Sequence, residues 1–329
     1  SACHRWHEAP LDLSHEALGQ GRMGVRLAAL IAHLRTALRL PVRTIVRYLA
    51  DLHGLHISVG AVVDLLHRMA ARGAPTVEQF MEQARQRAVV HADETGWSEN
   101  GHNGYVWLLA TPQGERVYTF DRSRSGQVIN GLLGEAFRGV LITDFYGAYN
   151  DTPGGKHQRC WVHLLRDVHA LGEAYPLPTS LLALEVRSWT QAVIALWQRV
   201  HAAATSPPDS TLLRERAAHE LLDELQALGV QFVEQMGHPC RPLAWRVWHF
   251  AHELLTCVRQ PGVVPCDNNA AERALRPLVI ARKISGGSRS PRGSATRVTL
   301  CSLFATWTAQ GHDPLLHCQQ LLQGSLPQL

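Results

Sequence analysis

The sequence predicts an α/β protein that combines a mixed sheet flanked by helices with an N-terminal helical domain and an all-helical insertion. Short apolar runs rich in β-branched and aromatic residues occur between residues 85 and 175, whereas segments with helical hydrophobic spacing precede and follow them. The 329 residues suffice for two or three domains, and the 46% hydrophobic content excludes a disordered chain. No apolar run reaches the roughly 18 residues that span a bilayer.

Basic residues are concentrated in two blocks. Between residues 21 and 72, eight arginines occur with only Asp51 and Asp64, and between residues 273 and 297 seven basic residues occur without an acid. Because the formal net charge of the chain is only +4, this local excess indicates a polyanionic partner, most simply nucleic acid. Solvated helix faces and a mobile basic loop are the alternative that the sequence leaves open.

The N-terminal region is predicted to be a tail over residues 1–20 and a helical DNA-binding domain over residues 21–84. Pro41 fits the first turn of the second helix, and Ser58 can cap the third. Three short helices with the Gly54 turn before the last fit a helix-turn-helix unit, whose third helix would present its exposed face to a DNA groove. A small helical bundle is the alternative. The residues of this domain predicted to contact DNA are Arg43, Arg47, His67 and Arg68.

Residues 85–175 are predicted to form the first part of the sheet. The predicted strands are residues 88–92, 105–110, 116–120, 140–143 and 158–162, with a helix over residues 125–137. Three antiparallel strands, a helix and further strands are the strand order of a ribonuclease-H-like core. The next segment, residues 176–262, is predicted to be a helical insertion with four tryptophans as core anchors: Trp189, Trp197, Trp245 and Trp248.

Three acidic residues occur where such a fold exposes side chains. Asp93 is predicted to end the first strand, Asp144 ends the buried fourth strand, and Glu272 lies in a helix of the last segment, residues 263–329. Because a buried carboxylate is costly unless it is paired or bound to a cation, these three predict a site for two Mg²⁺ or Mn²⁺ ions and two-metal phosphoryl transfer. Asn268, one helical turn before Glu272, is predicted to support it from the same face.

Other interpretations of these acids remain open. An aspartate at a strand end is commonly a turn or cap residue. Glu94 could take the place of Asp93, although on a strand it faces the other way, and Asp267 could take the place of Glu272. The pair Cys160 and His163 could be half of a zinc site, but packing at a helix start is favoured because no second pair has matching spacing.

Three motifs resemble the insertion-sequence-66 family of bacterial transposases. They are residues 143–149 (TDFYGAY), residues 160–163 (CWVH) and residues 267–277 (DNNAAERALRP), and residues 93–95 with Trp107 are also similar. The resemblance extends from about residue 24 to residue 322. It implies a DDE catalytic core of ribonuclease-H-like fold with a helical insertion, and it carries the catalytic and metal-binding roles over to Asp93, Asp144 and Glu272.

The resemblance implies a DNA transposase that cuts transposon ends and joins the 3′-hydroxyl to target DNA. The expected partners are the terminal inverted repeats, target DNA, a second copy of the chain on paired ends, and accessory proteins of the same element, in the bacterial cytoplasm at the nucleoid. The family usually carries an N-terminal cysteine-rich zinc segment, for which only Cys3 is present, so a fragment or a shortened relative is expected. Basic residues predicted to seat DNA over the metals are Arg273, Arg276, Arg282, Lys283, Arg289 and Arg292.

Two further functions fit the same residues. A ribonuclease-H-like nuclease or resolvase would cut DNA without joining it, and a DNA-binding regulator would carry an inactive core. The seven cysteines are odd in number and form no CxxC pair, which indicates a reduced, intracellular protein.

Overall fold

The computed structural model describes residue 16 and residues 23–152, 155–177, 179–206 and 210–325. The predicted tail over residues 1–20 therefore lies outside the described residues, apart from Glu16. The described residues form a five-stranded mixed sheet and thirteen α-helices, which confirms the α/β class. None of these helices is long and apolar enough to cross a membrane.

The first three helices are α1 (Val25–Thr36), α2 (Val42–His53) and α3 (Val59–Arg85). Gly54 ends α2 with a φ of 63°, and the Ser58 hydroxyl accepts a hydrogen bond from Ala61 N at the start of α3, as the sequence predicts. The apolar faces of α1 and α3 do not form a core of their own. They share one hydrophobic cluster with the last two helices of the chain, α12 (Pro291–Ala309) and α13 (Pro314–Gln323).

The sheet has the order β3-β2-β1-β4-β5. Strands β1 and β2 and strands β2 and β3 pair antiparallel, whereas β4 pairs parallel with both β1 and β5. One helix, α4 (Gly126–Leu133), connects β3 to β4. The strands are β1 (Val89–Glu99), β2 (His102–Ala110), β3 (Arg116–Asp121), β4 (Val140–Thr143) and β5 (Lys156–Arg159).

Strand β1 is longer than the sequence predicts, so Asp93 lies within the strand and not at its end. The parallel pairing of β1 with β4 stops at His91 and Ile142, but the antiparallel pairing with β2 continues to Glu99 and His102. The extension is polar and contains Gly96, which conceals it from a search for apolar runs.

The remaining helices follow β5 and cover both the predicted insertion and the C-terminal part. Trp189 is buried, but Trp245 and Trp248 are 40% and 44% exposed, so their predicted role as core anchors is wrong. The helices are α5 (Trp161–Ala174), α6 (Leu181–Thr205), α7 (Thr211–Val233), α8 (Arg241–His249), α9 (Ala251–Leu254), α10 (Thr256–Arg259), α11 (Asn269–Ser285), α12 and α13.

Helices cover both faces of the sheet. On one face, Ala271 and Leu275 of α11 pack against Trp97 of β1 and neighbouring side chains of β2 and β3. On the other face, α4 packs against Val90, Trp107 and their neighbours. Because side chains alternate along a strand, odd-numbered residues of β1 such as Asp93 face α11, and even-numbered ones such as Glu94 face α4.

Candidate active site

Asp93 and Asp144 lie at the same edge of the sheet because of the strand register. His91 of β1 pairs with Ile142 of β4 in parallel, and each aspartate follows its paired residue by two positions. Both side chains are half-buried. Asp144 Oδ1 accepts a hydrogen bond of 2.9 Å from Tyr146 N, which fixes the turn directly after β4. Asp93 therefore lies just past the point where the parallel pairing of β1 with β4 stops, and Asp144 lies just past the end of β4, so the register brings the two residues close together.

Glu272 is in the first turn of α11, which packs across the face of the sheet that carries Asp93. Asp93, Glu272 and the exposed Arg276 line one open cavity of about 430 Å³. Asp144 does not line this cavity, although its charge acts on Asp93. The three predicted catalytic residues are thus neighbours around one edge of the sheet.

The electrostatics of the site centre on Asp93. Burial, and then the adjacent carboxylate of Glu94, raise the pKa of Asp93 to about 7. The charges of Asp144 and Glu272 raise this pKa further, whereas a hydrogen bond from Glu94 N lowers it. Within the described residues, no three His, Cys, Asp or Glu side chains lie close enough together to hold one metal ion. The carboxylates are therefore close enough to repel one another without being gathered into a formed metal cluster.

Asn268 ties α11 to the sheet. Its buried side chain donates from Nδ2 to Ala92 O at 2.9 Å, and its Oδ1 lies 3.0 Å from His91 Nδ1. Its backbone N donates to Cys160 Sγ at 3.1 Å, at the start of α5. The sequence predicts that Asn268 faces the same way as Glu272; in the structure its side chain is instead turned into the protein, onto the segment of β1 next to Asp93.

His163 is a residue of the site whose role the sequence analysis missed. Its Nε2 lies 3.4 Å from Glu272 Oε1, across the gap between α5 and α11. Cys160, three residues earlier, is buried, and burial raises the pKa of its thiol to about 11, so the thiol is neutral at pH 7. The CWVH motif is the sequence signal for this arrangement. Its Cys160 contacts Asn268 at the start of α5, and its His163 contacts Glu272.

Glu94 also lines the cavity of Asp93 and Glu272, but its carboxylate is bonded to residues on the α4 side of the sheet. Its carboxylate is paired with Arg124 at 2.6 Å and accepts a hydrogen bond from the Tyr149 hydroxyl. The Arg124 guanidinium in turn lies 3.9 Å from the centre of the Tyr146 ring. This network supports the turn that carries Asp144, and it already engages the carboxylate of Glu94.

The basic residues predicted to contact DNA are either exposed at the surface or bonded to other residues of the protein. Most are exposed: Arg43, Arg47, Arg68, Arg273, Arg276, Lys283, Arg289 and Arg292. Arg47 pairs with Asp51 at 3.2 Å on the surface of α2. Two residues are engaged elsewhere, contrary to the predicted exposed faces. His67 is half-buried, with Nδ1 at 2.6 Å from Thr296 Oγ1, and Arg282 donates to Thr95 Oγ1 at 3.2 Å and to Gly96 O.

The described residues thus form an α/β protein whose sheet carries acidic side chains at one edge, with Glu272 on the helix that packs against it. The comparison with protein families then identifies the particular group: the sequence model of the Transposase IS66 family matches residues 20–296, so the chain belongs to that family. This confirms the resemblance seen in the sequence motifs.

Two curated relatives come from Sinorhizobium fredii (strain NBRC 101917 / NGR234). The chain is 25% identical to the uncharacterized protein y4qI over 327 residues, which is 90% of this chain and 58% of that protein. It is 27% identical to the uncharacterized protein y4jO over 177 residues, which is 54% of this chain and 49% of that protein. The chain thus spans about half the length of the curated relatives it matches.

Proposed function

We propose that this chain is the catalytic part of a DNA transposase that cuts transposon ends and joins the freed 3′-hydroxyl to target DNA. The observation that carries the proposal is the position of Asp93 just past the parallel pairing of β1 with β4, of Asp144 directly after β4, and of Glu272 on the helix that packs against β1. Membership of the Transposase IS66 family supports DNA as the substrate.

Asp93, Asp144 and Glu272 would hold two Mg²⁺ or Mn²⁺ ions. Carboxylate oxygens are the ligands that these hard cations prefer. Burial and then the neighbouring carboxylates raise the pKa of Asp93, and a bound cation would oppose both effects. When bound, such ions activate an attacking oxygen and stabilise a leaving one in phosphodiester displacement. The three side chains would draw together as ions and DNA bind.

The protein's own groups would hold and orient the DNA. Arg276 is exposed on the wall of the cavity that Asp93 and Glu272 share, and its planar guanidinium suits two-point contact with a phosphate. Other basic residues would extend this surface: Arg273, Lys283, Arg289 and Arg292 along α11 and its following loop, and Arg43, Arg47 and Arg68 on the N-terminal helices.

Coordinated cutting of two ends favours a homodimer on paired transposon ends. We place the activity on bacterial nucleoid DNA in the cytoplasm, together with accessory proteins of the same element. The predicted domain division, with its DNA-binding helices at residues 21–84, is part of this proposal.

The decisive experiment compares Asp144→Asn with the wild-type chain on a duplex that carries the terminal inverted repeat of the element. We expect wild-type protein with Mg²⁺ or Mn²⁺ to cleave the end, and chelation or Asp144→Asn to abolish cleavage while binding of the duplex is retained. Asp223→Asn, an exposed substitution on α7, is the matched control and should cleave normally.

A second assay supplies a pre-cut end with a free 3′-hydroxyl and a plasmid target. Joined product supports the transposase, whereas cleavage without joining identifies a nuclease or resolvase. Binding without metal-dependent cleavage would identify the regulator. Loss of cleavage and binding together in Asp144→Asn would assign Asp144 a structural role and overturn the catalytic assignment.

A further inference from the structure

A cavity of about 220 Å³ separates the N-terminal helices from the start of α12. We call it the α3–α12 cleft. Its polar lining includes Arg35 of α1, His67 of α3, Arg289 and Ser290 of the loop before α12, and Arg297 of α12. A water molecule occupies roughly 30 Å³ in the liquid, so the cleft has room for a small ion with some of its hydration.

Two arginines of the cleft lie next to each other, Arg297 buried and Arg35 half-buried. Arg297 is only 7% exposed; its Nη1 donates to Arg35 O at 3.4 Å, and its Nη2 is buried without a hydrogen-bond partner. Arg35 donates from Nη1 to Leu40 O at 3.0 Å. Burial, followed by the charge of Arg297, lowers the pKa of Arg35 to about 10.

No carboxylate compensates these charges within the described residues, because neither guanidinium forms an ion pair there. The polar contacts of Arg297 are a carbonyl and the thiol of Cys301, and the Trp97 ring lies 6.0 Å from its guanidinium carbon. Buried cations are ordinarily paired with an anion, and two adjacent ones increase that requirement. Among the described residues, the cleft is therefore positively charged, and no carboxylate pairs with either guanidinium.

The walls of the cleft are fixed in place. Ser290 caps α12, and its hydroxyl accepts a hydrogen bond from Gly293 N at 3.1 Å; because both residues line the cleft, the positive end of this 19-residue helix lies at the cleft. The preceding loop is held against β1, because Ser288 N donates to Ser98 O at 2.8 Å and Trp97 Nε1 donates to Ser288 Oγ at 3.0 Å. A preformed cationic cavity at a helix start is suited to an anion.

We infer that the α3–α12 cleft binds a phosphate group through Arg35, Arg297 and the start of α12. A phosphate presents several acceptor oxygens to two guanidinium forks at once. Exposed Arg289 at the loop would guide it in. We take the bound phosphate to be a backbone phosphate of DNA, and this choice rests on the proposed function. Free inorganic phosphate has the same chemistry, and the experiment below distinguishes the two sources.

The test measures thermal unfolding of the full chain in increasing inorganic phosphate, against chloride at equal ionic strength. We expect a saturable rise in Tm for the wild-type chain and for Arg216→Gln, an exposed control substitution on α7. Arg297→Met should lose that rise and should have a higher Tm than wild type without phosphate, because it removes an uncompensated charge. An equal phosphate effect in Arg297→Met, or none in wild type, would overturn the inference.

Arg35→Met provides a second variant if Arg297→Met does not fold, and it should likewise lose the phosphate-dependent rise. Binding of a DNA duplex at several salt concentrations then identifies the source. If a DNA phosphate enters the cleft, the plot of log association constant against log salt concentration should be less steep for Arg297→Met than for Arg216→Gln. The magnitude of its negative slope should be smaller by about 0.9. An unchanged slope with a lost phosphate effect assigns the cleft to free phosphate. Neither readout depends on strand cleavage, so failure of this site is distinguishable from failure of the transposase proposal.

Discussion

Replacement of Asn268 by alanine tests the link between the helix of Glu272 and the strand of Asp93. The Asn268 side chain is 1% exposed and bonds to two groups of β1 at 2.9 and 3.0 Å. Because the amide oxygen can only accept, His91 Nδ1 must carry the hydrogen of its bond. Burial lowers the pKa of His91 to about 4, so its ring is neutral at pH 7.

Alanine at position 268 would leave Ala92 O and the His91 Nδ1–H without partners in a buried setting. Each unsatisfied buried group costs about 1–3 kcal/mol, so the free energy of unfolding should fall by about 2–6 kcal/mol. The backbone bond from residue 268 to Cys160 Sγ is unaffected, because it uses the main-chain nitrogen. We therefore expect a weakened attachment of α11 to β1, with the start of α11 still held at α5.

Urea unfolding monitored by circular dichroism measures the loss, with Asn103→Ala, an exposed substitution on β2, as the matched control. The control should stay within about 0.5 kcal/mol of the wild-type chain. At low urea, Asn268→Ala should also lose more cleavage activity than DNA affinity. If its urea midpoint equals that of the control, the amide does not hold the helix and the reasoning fails.

Three further substitutions probe other contacts. His163→Ala removes the neighbour of Glu272 and should lower cleavage about 10–100-fold at unchanged DNA affinity, whereas the exposed His169→Ala on the same helix should not. Arg87→Gln removes the cation that pairs with buried Glu115 and should lower the free energy of unfolding by about 3 kcal/mol at pH 7. Gly229→Ala should destabilise the chain by about 1–3 kcal/mol in a urea titration, because the new Cβ would lie 2.9 Å from backbone atoms of α8; Gly131→Ala, with open space around it, should not.

The Arg87 prediction has a defined pH dependence. Burial alone would raise the pKa of Glu115, but the hydrogen bonds from Arg87 and Thr111 outweigh it and hold that pKa below 4.5. The pair therefore stabilises the fold above about pH 4.5, and this contribution is lost as the pH falls through the lowered pKa. The stability difference between wild type and Arg87→Gln should shrink in acid. A difference independent of pH would contradict the pairing.

The sequence predicted those parts of the fold whose signals are local. The short apolar strands and the cap at Ser58 are encoded by neighbouring residues, and the position of Asp144 follows from the buried strand before it. The extension of β1 was missed because its acidic side chains are neutralised from afar: Glu94 pairs with Arg124, and Glu99 pairs with Arg122 at 2.6 Å. No periodicity within the strand reveals such partners.

In the candidate site, too, local sequence signals predict some features, whereas contacts between distant residues are not predicted. The closeness of Asp93 and Asp144 follows from strand order and register, but the contact of His163 with Glu272 joins residues more than a hundred positions apart. His67 was expected on an exposed face, yet its partner Thr296 is 229 residues away. Trp245 and Trp248 were expected inside because large aromatic residues usually are, although each keeps a substantial exposed surface.

The hydrophobic cluster that α1 and α3 share with α12 and α13 has a consequence during synthesis. The N-terminal helices leave the ribosome about 200 residues before α12 is made. At translation rates of about 5–20 residues per second, their apolar faces remain uncovered for about 10–40 s. The apolar faces of α1 and α3 in nascent chains therefore wait for part of their hydrophobic cluster until the last helices are made, and a product that stops before α12 never completes that cluster.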